Sequence, residues 1–433
     1  MSSSQNKPEV SLNQRRQEAA ASPVNFSLIL LLFLTGRLML LLAFPPENLI
    51  SYGDYQHYFN LADMSRPGGC TAATGAEQGC WPFIDYWYEF PPIFPYLNIA
   101  IYHLAGQQLK NYIVLLAFVL LLVECGNLYL LYRLASFLYG RSQAINTAWI
   151  YTSLFVPVFF WLGNFDALTT FFILLGLYSL IENKNKLLAL ALGLGAMVKF
   201  LPVILLAAIW RIRGFRSAIG YGLVTLLISL AIFGPFALLN PRLTLASLQA
   251  QAGKSSYQTV WALLDGNTGT GNFGPLIDHF DPAKATQPVN KPARIPTWLT
   301  LIPFGLLGLL ILRQPSVLAL PELDAVVFTT LTFIIFFLWS QGWSPQWQTF
   351  LIPLLLLALP QRQAILFIIG LGFVNFLEWP IILSRGLNQL LPLTIFVRTS
   401  MFILLAIGLY QILTGATAQN WRRAGGSNKA ESA

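Results

Sequence analysis

Three groups of acidic, aromatic and amide side chains stand out from a largely apolar chain. Asp54 lies in Gly53-Asp54-Tyr55, with His57 and Tyr58 just after it. Asp85 and Glu89 bracket Tyr86-Trp87-Tyr88, and the run from Trp339 through Trp343 to Trp347 carries Gln346. A carboxylate crowded by Tyr and Trp loses hydration, so its pKa rises and it can serve as a general base. Flat Trp and Tyr faces cover sugar C–H surfaces while their polar handles bind hydroxyls. Trp87, Trp343, Gln346 and Trp347 are therefore candidates to face a sugar, and His279, between Asp278 and Phe280, is a further one. An aromatic belt at a membrane surface accounts for single Trp residues but not for Asp54, Asp85 and Glu89. His57, three positions after Asp54, shares its face if the segment is helical; it either tunes the base, binds a sugar hydroxyl or lies on the surface.

The elements that must position these residues are membrane helices. Of 433 residues, 55% are hydrophobic and only 10% charged, with mean hydropathy +0.60. A soluble domain is about 25% charged, so a water-soluble globule and a disordered chain are both excluded. With about 20 apolar residues per span, the chain reads as all-α and polytopic, with about 12 crossings (range about 10–13). The net charge of +8 matters through its placement, not as a sign of nucleic acid. Arg133, Arg141, Lys184, Lys186, Arg211, Arg213, Arg216, Arg313 and Arg362 lie in short connections and mark the cytoplasmic side, which puts both termini there. Residues 1–24 and 415–433 read as disordered cytoplasmic tails around one integral membrane domain, 25–414. Its long outer loops span about 45–110 and 240–296, the first holding an interfacial helix at Ile93–Leu104. The stretch Asn25–Phe44 is longer than a signal-peptide core and reads as a retained span.

The apolar stretch Leu187–Trp210 has basic residues at both ends. Two half-helices meeting near Lys199 and Pro202 would put both ends inside; the alternative is one span with Lys199 snorkelling. Cys70 and Cys80 share an outer loop, where they form a disulfide worth about 3 kcal/mol or remain free thiols. No CxxC pair, Walker loop or Rossmann glycine pattern occurs, which disfavours structural zinc and direct nucleotide-sugar use.

Several of these segments together resemble integral membrane glycosyltransferases that use polyprenyl-phosphate sugars, the GT-C superfamily. Gly53-Asp54-Tyr55 with Tyr58, and Pro82 through Pro92, resemble the first outer loop of the bacterial alpha-mannosyltransferase-like branch, glycosyltransferase family 87. Gly163-Asn164-Phe165-Asp166, Lys199-Phe200-Leu201-Pro202 and Ser344-Pro345-Gln346-Trp347 resemble its later elements, in the expected order. Phe90 stands where the branch often has tyrosine. The resemblance implies a GT-C-like fold, Asp54 as catalytic base, Glu89 as an acid that orients acceptor or base, and Asp166 in a structural or acceptor-binding role; Asp85, His57 and Tyr55 are further candidates to bind the acceptor or orient the base. It further implies Lys199 and Arg398 as cations near the donor phosphate.

A cation at the donor phosphate stabilises the charge that grows as the glycosidic bond breaks. A buried arginine costs about 2.5–3.5 kcal/mol on insertion scales, so Arg398 in the last span and Arg37 in the first each call for a partner or a phosphate unless they snorkel. One carboxylate suffices for single-displacement inversion. The expected reaction moves a hexose, mannose first, from a polyprenyl-phosphate donor to a glycolipid or glycan acceptor on the outer face. The enzyme is expected to act as a monomer in the plasma membrane, without a cofactor. A divalent cation is not required, although Asp54, Asp85 and Glu89 could ligate one. The competing reading is a transporter or lipid flippase, which also uses broken helices and buried charges; no internal repeat supports it.

Overall fold

A computed structural model describes residues 24–50, 53–75, 77–154 and 162–415. Both tails, and the outer end of the third expected span at 155–161, lie outside these residues. Every regular element among the described residues is helical, apart from two isolated bridges, and long loops join them. Helices of six or more residues are numbered here. The first half of the chain holds α1 (Val24–Ala43), α2 (Tyr55–Asp63), α3 (Ile93–Leu104), α4 (Leu109–Tyr139), α5 (Arg141–Ser153), α6 (Asp166–Ile181) and α7 (Asn185–Val198). It continues through α8 (Leu205–Arg213), α9 (Phe215–Leu239), α10 (Pro241–Gly253) and α11 (Val260–Asp265). The remainder is α12 (Thr297–Arg313), α13 (Pro321–Trp339), α14 (Gln348–Ala358), α15 (Gln361–Phe376) and α16 (Leu391–Thr414).

Among the described residues, six helical segments are long and apolar enough to cross a membrane: Phe26–Ala43, α4, α9, α13, Gln361–Leu383 and Asn388–Thr414. This is the pattern of a multi-pass membrane protein. It is fewer than the expected dozen, for a reason of length. At about 1.5 Å per residue, an 11-residue helix such as α14 is roughly 16 Å long, well short of a bilayer core of about 30 Å. The expected dozen would need the shorter apolar helices, among them Asp166–Ile181, Asn185–Val198 and Thr297–Arg313, to be embedded as well.

Lys199 is extended (φ −160°, ψ 139°) and ends α7; a 3-10 turn, Leu201–Ile204, then leads into α8. Arg213 at the end of α8 donates to Asn185 Oδ1 at the start of α7 (2.8 Å), to Asn183 Oδ1 (3.0 Å) and to the Leu180 carbonyl (2.8 Å). The two half-helices therefore form a hairpin whose ends meet at one end of the bundle and whose turn, with Lys199, lies toward the other. Pro202 lacks an N–H and cannot continue α7, which helps set the break. On α8, Arg211 forms a buried two-pronged pair with Asp324 (2.6 and 3.0 Å) and donates to the carbonyls of Ile311, Leu312 and Gln314. This guanidinium ties the hairpin to the end of α12 and the start of α13.

Candidate active site

At the end of the bundle that holds the hairpin turn, a cavity of about 980 Å3 opens between the loops after α1 and α10 and the ends of α6, α7 and α13. Asp54, His57, Glu89, Asp166, Lys199, His279, Gln346 and Trp347 all line it. Residues from five sequence-distant motifs, with His279, thus converge on one space.

Asp54 is placed by a close backbone crossing. Its N–H donates to the Gly163 carbonyl (3.1 Å), and a Cβ on Gly53 would fall 2.7 Å from Gly163 Cα. Gly163 is in the left-handed region (φ 72°), and a Cβ there would meet the Tyr55 ring. Both glycines are needed to bring the first loop against the start of α6. Buried Tyr55 forms the wall of this crossing and is not part of the cavity lining. The Asp54 side chain, partly open to the cavity, accepts from Tyr58 Oη (3.3 Å) and has no cation within ion-pair distance among the described residues. Burial pushes its carboxyl above the ordinary value, and the charge on Glu89 adds to the rise; nearby His57, Tyr58 and Lys254 oppose it without cancelling it.

The other two carboxylates in the cavity are paired. Asp166, first residue of α6, receives Lys199 Nζ at 2.7 Å, both side chains nearly buried. Glu89 lies 2.5 Å from Lys254 Nζ. Burial raises the Glu89 pKa, but attraction to Lys254 and its hydrogen bond win, leaving the acid below its usual value; Lys254 is held well above its own. The Phe90 ring lies 5.8 Å from the Lys199 ammonium and 5.9 Å from that of Lys254, so one aromatic face serves both cations. Trp347 sits 5.4 Å from Lys199.

Residues 88–262 match the family model of glycosyltransferase family 87. No curated protein and no solved structure matches the chain. The matched segment holds both ion pairs, Asp166–Lys199 and Glu89–Lys254, while Asp54 and the Trp343–Trp347 run lie outside it.

Several expected site residues do other work. Asp85 accepts from the Trp81 backbone N–H (2.7 Å) and closes a turn away from the cavity. Trp87 is fully buried: its Nε1 donates to the carbonyls of Asp278 (3.0 Å) and Asp281 (3.1 Å), and its ring stacks on His279 at 4.0 Å. His279 donates from Nδ1 to the Trp87 carbonyl (2.9 Å), which leaves Nε2 as the acceptor; burial lowers its pKa. Trp343, buried, donates to Asn375 Oδ1 (3.1 Å). Neither Trp87 nor Trp343, both expected to face a sugar, lines the cavity.

Arg398 and Arg37 also stand apart from the cavity lining. Arg398 pairs with Glu378 at 2.5 Å, both almost wholly buried, lies over Trp343 and donates to the Gln258 carbonyl. Gln258 Nε2 donates back to Glu378 (2.8 Å), and Gln258 holds φ 54°, unusual for a residue with a side chain. Gln258 lines the cavity, so Arg398 holds backbone that borders it. Arg37 is buried against the Phe33 ring (3.5 Å), with Nε and Nη2 making no hydrogen bond. Cys70 and Cys80 form a disulfide that closes the loop after α2. Among the described residues no group of three or more His, Cys, Asp or Glu side chains could hold a metal ion.

Lys254, Gln258 and Glu378 were not legible as site residues. Lys254 is a lone base in a loop where positive charge carries little topological information. Glu378 lies in a π-helical turn, Leu377–Leu383, whose register shift re-aims side chains in a way that apolar periodicity does not foretell.

Proposed function

We propose that this chain is an inverting glycosyltransferase of the family 87 type. It transfers a hexose, mannose first, from a polyprenyl monophosphate to a hydroxyl of a glycolipid or glycan at the extracytoplasmic face of the plasma membrane. The observation that carries this reading is Asp54: it is the cavity carboxylate left without a cation, with a raised pKa, while both neighbouring acids are neutralised by lysines. Asp54 takes the proton of the acceptor hydroxyl as its oxygen attacks the anomeric carbon, and the bond to the donor oxygen breaks on the opposite face, leaving the electron pair on the phosphate.

Lys199 and Lys254 are the cations for that phosphate. An ammonium has three donors, and each of these has one carboxylate partner, so each can also receive a phosphate oxygen. Phe200, Ile204, Phe336 and Trp339 form an apolar flank of the same cavity, suited to an isoprenoid chain entering from the bilayer. Trp347, Gln346 and His57 are placed to meet sugar hydroxyls. In this reading the fold is GT-C-like, with the shorter apolar helices embedded beside the six long ones and both termini cytoplasmic. The α7–α8 hairpin is also what a transporter would use, which keeps flipping of the lipid-linked sugar as a second reading. The test is transfer from radiolabelled polyprenyl-phosphate sugar by purified protein. Labelled product from wild type and its loss in Asp54→Asn supports transfer; lipid translocation without glycoside formation supports the alternative.

A further inference from the structure

Asn164 lines the cavity, and its amide is largely unused within the protein. The residue is 3% exposed, yet among the described residues its only hydrogen bond is a long one, 3.4 Å from Nδ2 to the carbonyl of Leu162 in its own loop. An amide side chain has two N–H donors and an oxygen with two lone pairs, so one N–H and all of Oδ1 are left without a partner. Buried polar groups are ordinarily satisfied, and one that is not, on the wall of a cavity, points to a ligand. The backbone around it is held on both sides. Gly163 is fixed by the crossing that accepts the Asp54 N–H (3.1 Å), Phe165 is 1% exposed and stacks on Phe94 at 3.9 Å, and Asp166 holds Lys199 at 2.7 Å. Little freedom remains for this segment to lose when a ligand binds.

Its place along the chain decides which ligand. Gly163 touches the backbone of Asp54, the base, and Asp166 carries Lys199, a cation for the departing phosphate. In a single displacement the anomeric carbon lies between the base and the leaving oxygen, so the sugar being transferred lies between those two groups. Asn164 and Phe165 are the residues that join them, and both line the cavity. An amide with one donor and one acceptor free suits a hexose: a ring hydroxyl can donate to Oδ1 while a neighbouring oxygen accepts from Nδ2.

We propose that the Asn164 amide binds a ring hydroxyl of the transferred hexose and so helps to select the sugar. This rests on the reading of the cavity as a glycosyltransferase site. The experiment measures equilibrium binding rather than transfer, with radiolabelled polyprenyl-phosphate mannose and sugar-free polyprenyl phosphate on immobilised full-length protein, so that no acceptor is needed. Wild type is expected to bind the mannosyl lipid more tightly than the bare lipid. Asn164→Leu, close to asparagine in shape, should weaken binding of the mannosyl lipid by about tenfold, the size of one buried hydrogen bond, and leave the bare lipid unchanged. A general distortion of the cavity would weaken both. Asn164→Ala should give the same pattern, and it carries the comparison if Asn164→Leu does not fold. Among mannosyl lipids each lacking one ring hydroxyl, one should bind wild type about tenfold more weakly than the parent, yet bind Asn164→Ala as well as the parent does. Equal loss for the two lipids in the variants, no loss for either, or a deoxy series in which Asn164→Ala discriminates as sharply as wild type would each overturn the proposal and leave the glycosyltransferase reading in place. Wild type that binds neither lipid would overturn that reading and this proposal together.

Discussion

Replacing Arg398 by Met should destabilise the protein far more than replacing Arg398 and Glu378 together. The pair sits at 2.5 Å with 2% and 0% of the side chains exposed. Removing the guanidinium leaves the Glu378 carboxylate buried with Gln258 Nε2 as its remaining partner, and removing one member of such a pair costs about 3–5 kcal/mol. Arg398→Met/Glu378→Met takes away both charges and leaves apolar volume, which for a buried pair is close to neutral. About 2 kcal/mol should remain lost because the Gln258 carbonyl no longer has its Arg398 donor and Gln258 Nε2 no longer has its Glu378 acceptor. Thermal unfolding in detergent, followed by tryptophan fluorescence, should therefore rank wild type, then the double variant, then the single variant. Sugar transfer by the double variant should persist, with its loss confined to what displacement of Gln258 causes. The reasoning fails if the double variant is as unstable as the single one. It also fails if Arg398→Met unfolds at the wild-type temperature yet no longer binds donor, since that charge would then belong to the phosphate.

Gly53→Ala should slow transfer by about 100-fold and also lower the unfolding temperature, because a Cβ 2.7 Å from the Gly163 backbone forces the crossing apart at a cost of about 1–3 kcal/mol and pushes Asp54 out of line; an unchanged rate would deny that this crossing positions the base. The rate should fall with decreasing pH through a midpoint above the ordinary aspartate value of about 3.9, because the base form is needed and burial raises the Asp54 pKa. For the same group the stability contribution is complete below the ordinary value and is lost as pH rises through the raised one, so Asp54→Asn should unfold at a higher temperature than wild type at pH 7. Lys254→Met leaves Glu89 unpaired and should cost about 1–3 kcal/mol, less than a dry pair because the cavity is wet, and raise the KM for donor. The Glu89 pKa is lowered, so its contribution is present above the ordinary glutamate value and disappears as pH falls through the lowered one; a Lys254→Met loss of equal size at every pH would contradict the pairing.

What could be read in advance follows from where chemistry leaves a mark on residue type. Basic residues at both ends of Leu187–Trp210 imply a chain that turns back, and Arg213 meeting Asn185 shows its two ends side by side. Gly53 and Gly163 belong to two segments singled out by the family resemblance, and their backbones touch, although nothing in the sequence foretold that crossing. Cys70 and Cys80 lie in one loop and are bonded. Facing is different, because loop aromatics have no periodicity to report it: Trp87 and Trp343 look like sugar platforms and are buried braces, hydrogen-bonded through their indole N–H groups. Arg398 illustrates the remaining limit. Its cost in an apolar helix demands a counter-charge, but only the π-turn at Leu377–Leu383 determines that Glu378 supplies it.

The most direct measurement is the rate of sugar transfer from radiolabelled polyprenyl-phosphate donor by purified wild-type protein and Asp54→Asn, each checked for folding and for donor binding. The account predicts that the variant binds donor normally and transfers at least about 100-fold more slowly, the usual loss when a general base is removed. Transfer by Asp54→Asn at the wild-type rate would contradict it.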